Sequence, residues 1–294
     1  GHSGVEINKQ SANASKVLGR VLNALANDFD MKLSTLSGGL KDNAIPTDAE
    51  AVVIFSDTDM SDINTPGHAD IPANSAHASL QDLISQWNQI IRHECAHTDP
   101  DICITLEPVD LPAATMTDTS THTVIDVLMT YPNGIRKMSK DIAGLVQTSL
   151  NLGILSTIKP DDQSTNGMVS FKSSVRSSIG SEKDALLNSL KSLATLAGGT
   201  LTVTGDYPAW EYREDSPLRN LMVKIFKQQY GKEPVIQALH AGVECGIFAS
   251  KLPGLDCVSF GPDMDDIHTT NESMNVESVR RTWKYTLKIL KELK

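Results

Sequence analysis

Residues 200–210 read TLTVTGDYPAW, and they divide the chain into two textures. Before them, helices recur with strands whose spacing suits an antiparallel sheet covered on one face. After them, helix 215–230, strand 234–239, helix 242–250, strand 255–260 and helix 276–293 alternate, the pattern of a mostly parallel sheet. The expected fold is therefore α/β in two parts, with a domain boundary near 206.

Working back from that boundary, the helix expected at 181–197 is capped by Ser181 and stopped by Gly198 and Gly199. The strand at 200–206 follows it. Strands are expected near 144–157 and 167–176, preceded by a helix near 119–131. The same order appears earlier. Val17, Leu18, Val21, Leu22 and Leu25 have helical spacing in 10–29, and strands are expected at 31–38 and 51–56. Leu80, Leu83, Ile84, Trp87, Ile90 and Ile91 define a helix over about 75–96, and 101–109 reads as a strand. Residues 1–205 thus divide into two α+β units, about 1–115 and 116–205, alike in pattern rather than in residues.

The bulk numbers exclude some partners. The chain has 294 residues, 40% of them hydrophobic, and a formal charge of −10, with a pI of about 5.2. That balance argues against nucleic acid or an anionic membrane surface. The apolar stretches are too short to span a bilayer, and no basic-then-apolar leader is recognised. Cys95, Cys103, Cys245 and Cys257 include no C-x-x-C pair and suggest no disulfide framework, so a reducing cytoplasm is expected. The first residues, GHSGVEIN, lack an initiator Met and read as the inside of a structural element, so a fragment is expected.

One motif invites a protease reading. IIRHECAHTDPD at 90–101 holds His93, Glu94 and His97 as H-E-x-x-H, the zincin arrangement of two zinc-binding histidines and a base. A zincin helix continues past its second histidine, whereas here TDPD follows at once and Pro100 closes the helix. A solvated helix end, with His93 and His97 favoured by the helix dipole, accounts for these residues.

The stretch LDCVSFGPDMDDIHTTNESMNVESV, 255–279, is more informative. An apolar strand runs into Gly261 and Pro262, an acidic loop, His268, Glu272 and a new helix. Ligands bind at the carboxyl ends of strands in open α/β sheets, and a neutral imidazole oriented by a carboxylate is a good zinc ligand. The plainer alternative is a surface loop with a helix-capping histidine.

Five motifs occur in order: GHSGVEIN at 1–8, GGLKDNAIP at 38–46, SSVRSS at 173–178, ALHAGVECGIF at 238–248 and FGPDMDDIHTTNESM at 260–274. Together they resemble the aminoacyl-histidine (Xaa-His) dipeptidases of the di-zinc exopeptidase superfamily, over essentially the whole chain. The resemblance implies a catalytic α/β domain interrupted by a lid. Residues 1–205 correspond to the lid, which carries a homodimer interface, and 206–294 to the last part of the catalytic domain.

It also implies roles. His268 resembles the last metal ligand, with Glu272 as the acidic residue behind it. His2 resembles the lid histidine that reaches the partner's active site and stabilises the developing oxyanion. Asn43 resembles the lid asparagine near the substrate carbonyl or carboxylate. Arg176 resembles the arginine that grips the free C-terminal carboxylate. His240 and Glu244 lie on a turn lining the cleft, with no role assigned. Each has a plain alternative: a terminal residue for His2, a turn former before Pro46 for Asn43, a strand-face cation for Arg176. His77 and His122 have no motif around them and read as solvent-facing.

The family's H-x-D, bridging aspartate and Glu-Glu pair are not found. His68 to Asp70 and His97 to Asp99 match H-x-D only by chance, since neither follows an apolar strand. One histidine cannot hold a catalytic zinc, which needs about three protein ligands. The expectation is a dipeptidase using two zinc ions, or another divalent metal, on Xaa-His dipeptides, with this chain alone inactive. The rival readings are an inactive lid module for dimerisation and binding, and a zincin built on His93, Glu94 and His97.

Overall fold

The computed structural model describes residues 1–4, 6–56, 80–159, 167–237, 244–267 and 270–294. It divides into two compact units. The first comprises Gly1–Met138, Val146–Ser177 and Ser181–Val203; the second comprises Ser139–Leu145, Ser178–Gly180 and Thr204–Lys294.

The first unit is built on one five-stranded antiparallel sheet. Its strands are β1 (Met31–Gly38), β2 (Ala49–Phe55), β3 (Gly134–Met138), β4 (Val146–Ile158) and β5 (Met168–Ser177). β4 is the centre. β5 runs along it from Thr148 to Ile158, while β3 and the end of β1 pair with different stretches of β4. The segments 1–115 and 116–205, expected as two α+β units, therefore contribute to one sheet. Among the described residues four α-helices accompany it: α1 (Ala14–Asp28), α2 (Leu80–Glu94), α3 (Asp118–Thr130) and α4 (Gly180–Leu196).

The core lies between these helices and one face of the sheet. Val21, Leu22 and Leu25 of α1, Leu83 and Ile84 of α2, Ile125 and Leu128 of α3 and Leu190 of α4 cluster with Leu33 and Leu36 of β1 and with Leu150, Leu152 and Leu155 of β4. Strand residues alternate faces, so Leu33 with Leu36, and Leu152 with Leu155, should point oppositely. Each pair is reconciled by a shift in register: between Leu33 and Thr35 in β1, and between Leu152 and Ile154 in β4. One extra residue at each bulge returns the next leucine to the core.

Several expected strands are not strands. Residues 101–109 run outside the sheet, because a side chain takes the place of a neighbouring strand. Asn88 of α2 accepts the Ile104 N–H at 2.8 Å and donates to the Ile104 carbonyl at 2.6 Å. Arg92 donates to the Ile102 carbonyl at 3.1 Å. With those backbone groups satisfied, the segment needs no ladder. Conversely, β3 was not expected. GIRKM has no apolar alternation, and its pairing with β4 is a tertiary effect.

The second unit holds α5 (Pro217–Tyr230), α6 (Glu244–Lys251), α7 (Val276–Glu292) and a two-residue hairpin of β6 (Met264–Asp265) and β7 (Ser273–Met274). Met222 and Ile225 of α5 pack on Tyr285 and Ile289 of α7, and the Tyr285 hydroxyl donates to the Met222 carbonyl at 2.7 Å. Ser216 caps α5 and donates to Asp256 at 2.6 Å, while the same carboxylate accepts the Leu218 N–H at 2.9 Å. The strands expected at 200–206 and 255–260, and the described part of 234–239, carry no ladder pairs among the described residues. Parallel strands are stable only with neighbours that bury both faces; here Val235 is 82% exposed and Phe260 45%. The mixed α/β class stands, with antiparallel pairing in both described sheets.

Candidate active site

The face of the sheet opposite the helices carries polar side chains. In β4, Leu150 and Leu152 face the core, so Ser149 and Asn151 face away. Arg176 of β5 is directly opposite Ser149, and Ser174 is opposite Asn151. Residues facing one another across an antiparallel pair share a face, so Arg176 stands on the Asn151 side.

On that face the loop after β1 folds down. Gly39 has φ +68, and a Cβ there would lie 2.0 Å from the Gly153 carbonyl oxygen; a Cβ on Gly153 would lie 2.4 Å from the Asp42 carbonyl oxygen. Only glycines allow this crossing. The turn that follows is held from below by Asn151, which is 1% exposed. Its Nδ2 donates to the Asp42 carbonyl at 3.1 Å and to the Ala44 carbonyl at 2.7 Å, either side of Asn43. Asn13 donates to Asn151 Oδ1 at 3.3 Å and to the Leu152 carbonyl at 2.9 Å, and its own Oδ1 caps α1 through Lys16 N–H at 3.2 Å.

The GHSG stretch then pairs with this turn. His2 and Ala44 form an antiparallel bridge. Ser3 N–H donates to the Asn43 carbonyl and Ile45 N–H to the Gly1 carbonyl, both at 2.9 Å. Ile7, Ile45 and Val146 close a small apolar cluster beneath.

His2 and Arg176 meet at Gly4. A Cβ at Gly4 would lie 2.9 Å from His2 Cε1 and 3.3 Å from Arg176 Cζ, so the imidazole and guanidinium border the same point. Gly4 N–H donates to His2 Nδ1 at 3.1 Å. An accepting Nδ1 places the neutral ring's proton on Nε2, which is then a donor. Burial and the Arg176 charge push the His2 pKa below its ordinary 6.5, against the opposing pull of Glu6. At neutral pH the ring is uncharged beside a fixed cation. A cation and an N–H donor side by side suit a carboxylate or a developing oxyanion.

Three of the expected residues, His2, Asn43 and Arg176, are thus assembled in the first unit. Glu244 opens α6 in the second unit and is exposed, as is Glu272. His240 and His268 lie outside the described residues. The β6–β7 ladder pairs Met264 with Met274 and Asp265 with Ser273. Among the described residues no group of three or more His, Cys, Asp or Glu side chains could hold a metal ion. The described side chains do not by themselves form a zinc centre.

The zincin alternative is not assembled. α2 ends at Glu94, and Asp99 N–H bonds the Cys95 carbonyl at 2.8 Å in the turn beyond. His97 lies past the helix, so the two histidines do not share a helical face. Glu94 is engaged by Arg20 through two bonds of 2.6 and 2.8 Å, which hold its carboxyl below the usual carboxylate range. Asp99 of the second H-x-D accepts the Ala12 N–H at 2.8 Å. His122 is exposed on α3, while His68, Asp70 and His77 lie outside the described residues. An open groove of about 550 Å³ along α2 and residues 103–107 includes none of the expected site residues.

Gly4, Asn13 and Asn151 went unread in the sequence. A signal existed for Asn151: an amide in the middle of an apolar strand must find partners when buried.

Comparison with known proteins identifies the family. Residues 14–292 match Peptidase family M20/M25/M40. The chain is 32% identical over 293 residues to the cytosol non-specific dipeptidase of Escherichia coli (strain K12), covering all of this chain and 56% of that protein. It superimposes on the crystal structure of aminoacylhistidine dipeptidase from Vibrio alginolyticus with a TM-score of 0.85 and 29% identity, over 99% of this chain and 55% of that one. The chain therefore spans about half the length of these relatives. No helix among the described residues is long and apolar enough to cross a membrane. The chain belongs to peptidase family M20/M25/M40.

Proposed function

We propose that the intact protein is a metal-dependent dipeptidase that hydrolyses unblocked Xaa-His dipeptides, carnosine-like ones included. The observation that carries this reading is the convergence of the His2 imidazole and the Arg176 guanidinium on Gly4. Arg176 binds the substrate's free carboxylate through its planar fork. His2, neutral at pH 7, donates from Nε2 to the oxygen that gains charge as the peptide carbonyl is attacked. Asn43 supplies a further polar contact near the substrate. In this reading residues 1–205 act as a lid that also forms the homodimer interface, and 206–294 belong to the catalytic domain of a cytoplasmic enzyme. His240 and Glu244 line the cleft. His268 is the ligand this chain gives to the metal, with Glu272 behind it. Two zinc ions, or another divalent metal, would supply Lewis-acid chemistry when bound, held by His268 together with ligands expected outside this chain.

The test uses the intact protein, its metal-binding half included. Expected results are hydrolysis of β-alanyl-histidine and glycyl-histidine, and none of the N-acetylated analogues. His2→Ala should lower kcat about 100-fold or more, on the scale of one lost oxyanion donor, with KM little changed. Arg176→Met should chiefly raise KM, and His268→Ala should lower zinc stoichiometry. Absence of dipeptide hydrolysis by a zinc-loaded, folded dimer would sink the reading in favour of a binding module.

A further inference from the structure

We infer that Asn151 is a positioning residue for this site, setting both Asn43 and His2 although it is buried beneath them. The inference rests on the roles assigned above to Asn43 and His2. The geometry supplies a continuous chain of bonds. The Asn151 carboxamide donates to the carbonyls on either side of Asn43, at 3.1 and 2.7 Å. That turn accepts Ser3 N–H at Asn43 and gives Ile45 N–H to Gly1, which fixes the backbone on both sides of His2. Asn13 orients the Asn151 amide by donating to its Oδ1 at 3.3 Å. The β4 bulge lets this happen, because Gly153 admits the Asp42 backbone where a side chain would block it.

Arg176 is placed differently. It is held by the β4–β5 ladder opposite Ser149, on a strand apart from the turn that Asn151 holds. Loss of the Asn151 donors should therefore release the turn and His2 while leaving the carboxylate clamp in place. A residue needed only for core packing would weaken both alike. The amide is suited to the task because its two N–H groups meet two carbonyls at once in a water-excluded place. An apolar residue of the same shape satisfies neither, and the carbonyls regain partners only by moving toward water.

The experiment compares Asn151→Ala and Asn151→Leu with Leu190→Ala, a core truncation remote from the turn. In the 294-residue chain, the His2 Cε1–H resonance is followed by NMR titration, together with exchange protection of the Ser3 and Ile45 amides. In the native chain His2 should titrate below 6.5. In both Asn151 variants its midpoint should rise to the ordinary 6.5 as it leaves Arg176, and the two amides should lose protection at least tenfold. Leu190→Ala should lower thermal stability and leave the titration alone. In the intact enzyme the Asn151 variants should lose kcat on glycyl-histidine at least tenfold with KM changed less than threefold. An unchanged His2 titration in both variants overturns the proposal. So does unfolding of both under conditions where Leu190→Ala stays folded, since Asn151 is then simply structural. If the native intact enzyme hydrolyses no dipeptide, the dipeptidase reading falls instead, and the titration alone decides the role of Asn151.

Discussion

At the residue scale the site depends on an atom that is missing. Gly4 leaves open the point that His2 and Arg176 both border, and an alanine Cβ would sit 2.9 Å from the ring and 3.3 Å from the guanidinium carbon. Gly4→Ala should push the two groups apart and cost the intact enzyme at least tenfold in kcat/KM; near-native kinetics would show that the contact is slack. His2 also makes stability depend on pH. Its folded pKa is depressed, first by burial and then by Arg176, so between that value and 6.5 the unfolded chain binds the proton more readily. Stability is complete above 6.5 and is lost as pH falls through the depressed value. Glu6, held at about 2 by its bonds with Lys9 and His2, acts in a lower window, below 4.5. Urea midpoints should therefore fall more steeply between pH 7 and 5 in the native chain than in His2→Gln. Parallel slopes would remove His2 from the account.

At the scale of elements, helix contacts show which of two effects wins. Gly19 lies in the middle of α1, where glycine ordinarily costs about 1 kcal/mol relative to alanine. Its replacement should stabilise an isolated helix. In the fold, however, the added Cβ would lie 3.0 Å from Leu128 Cβ of α3, and Leu128 is 0% exposed with no room to retreat. Overpacking costs about 1–3 kcal/mol, which exceeds the propensity gain or cancels it. Gly19→Ala should lower the thermal midpoint; a rise would mean the helices can separate cheaply. The N-terminus of α1 is set by Asn13, which caps the helix and bonds into β4 in one side chain. Asn13→Ala should cost about 2 kcal/mol in urea unfolding, roughly a lost cap plus a lost buried bond. A cost within a few tenths would mean water replaces both.

At the scale of the whole molecule the two units differ in how much core they own. Among the described residues, sixteen buried ones form one cluster over the sheet in the first. In the second, four do, between α5 and α7, while Trp283, Leu287 and Leu290 of α7 remain exposed. Local opening free energies follow such differences. Hydrogen exchange on this chain should find the amides of β4 the slowest and those of α5 and α7 faster by about 100-fold or more. Equal protection would mean the units unfold as one.

The sequence by itself determined the α/β class, the order of most helices, the extents of β1, β4 and β5 within a few residues, and the family, because these are local periodicities and ordered motifs. It also marked His2, Asn43 and Arg176, though only as residues far apart in the chain. Tertiary structure decided what periodicity cannot carry. It turned 101–109 from a strand into a segment held by Asn88, since one carboxamide satisfies the same backbone groups that a neighbouring strand would. It made GIRKM a strand because β4 offered an edge. And it brought residues 2, 43 and 176 together on one sheet face, through the glycine crossing at Gly39 and Gly153 and the buried amide of Asn151, contacts whose partners lie more than a hundred residues apart and leave no local trace.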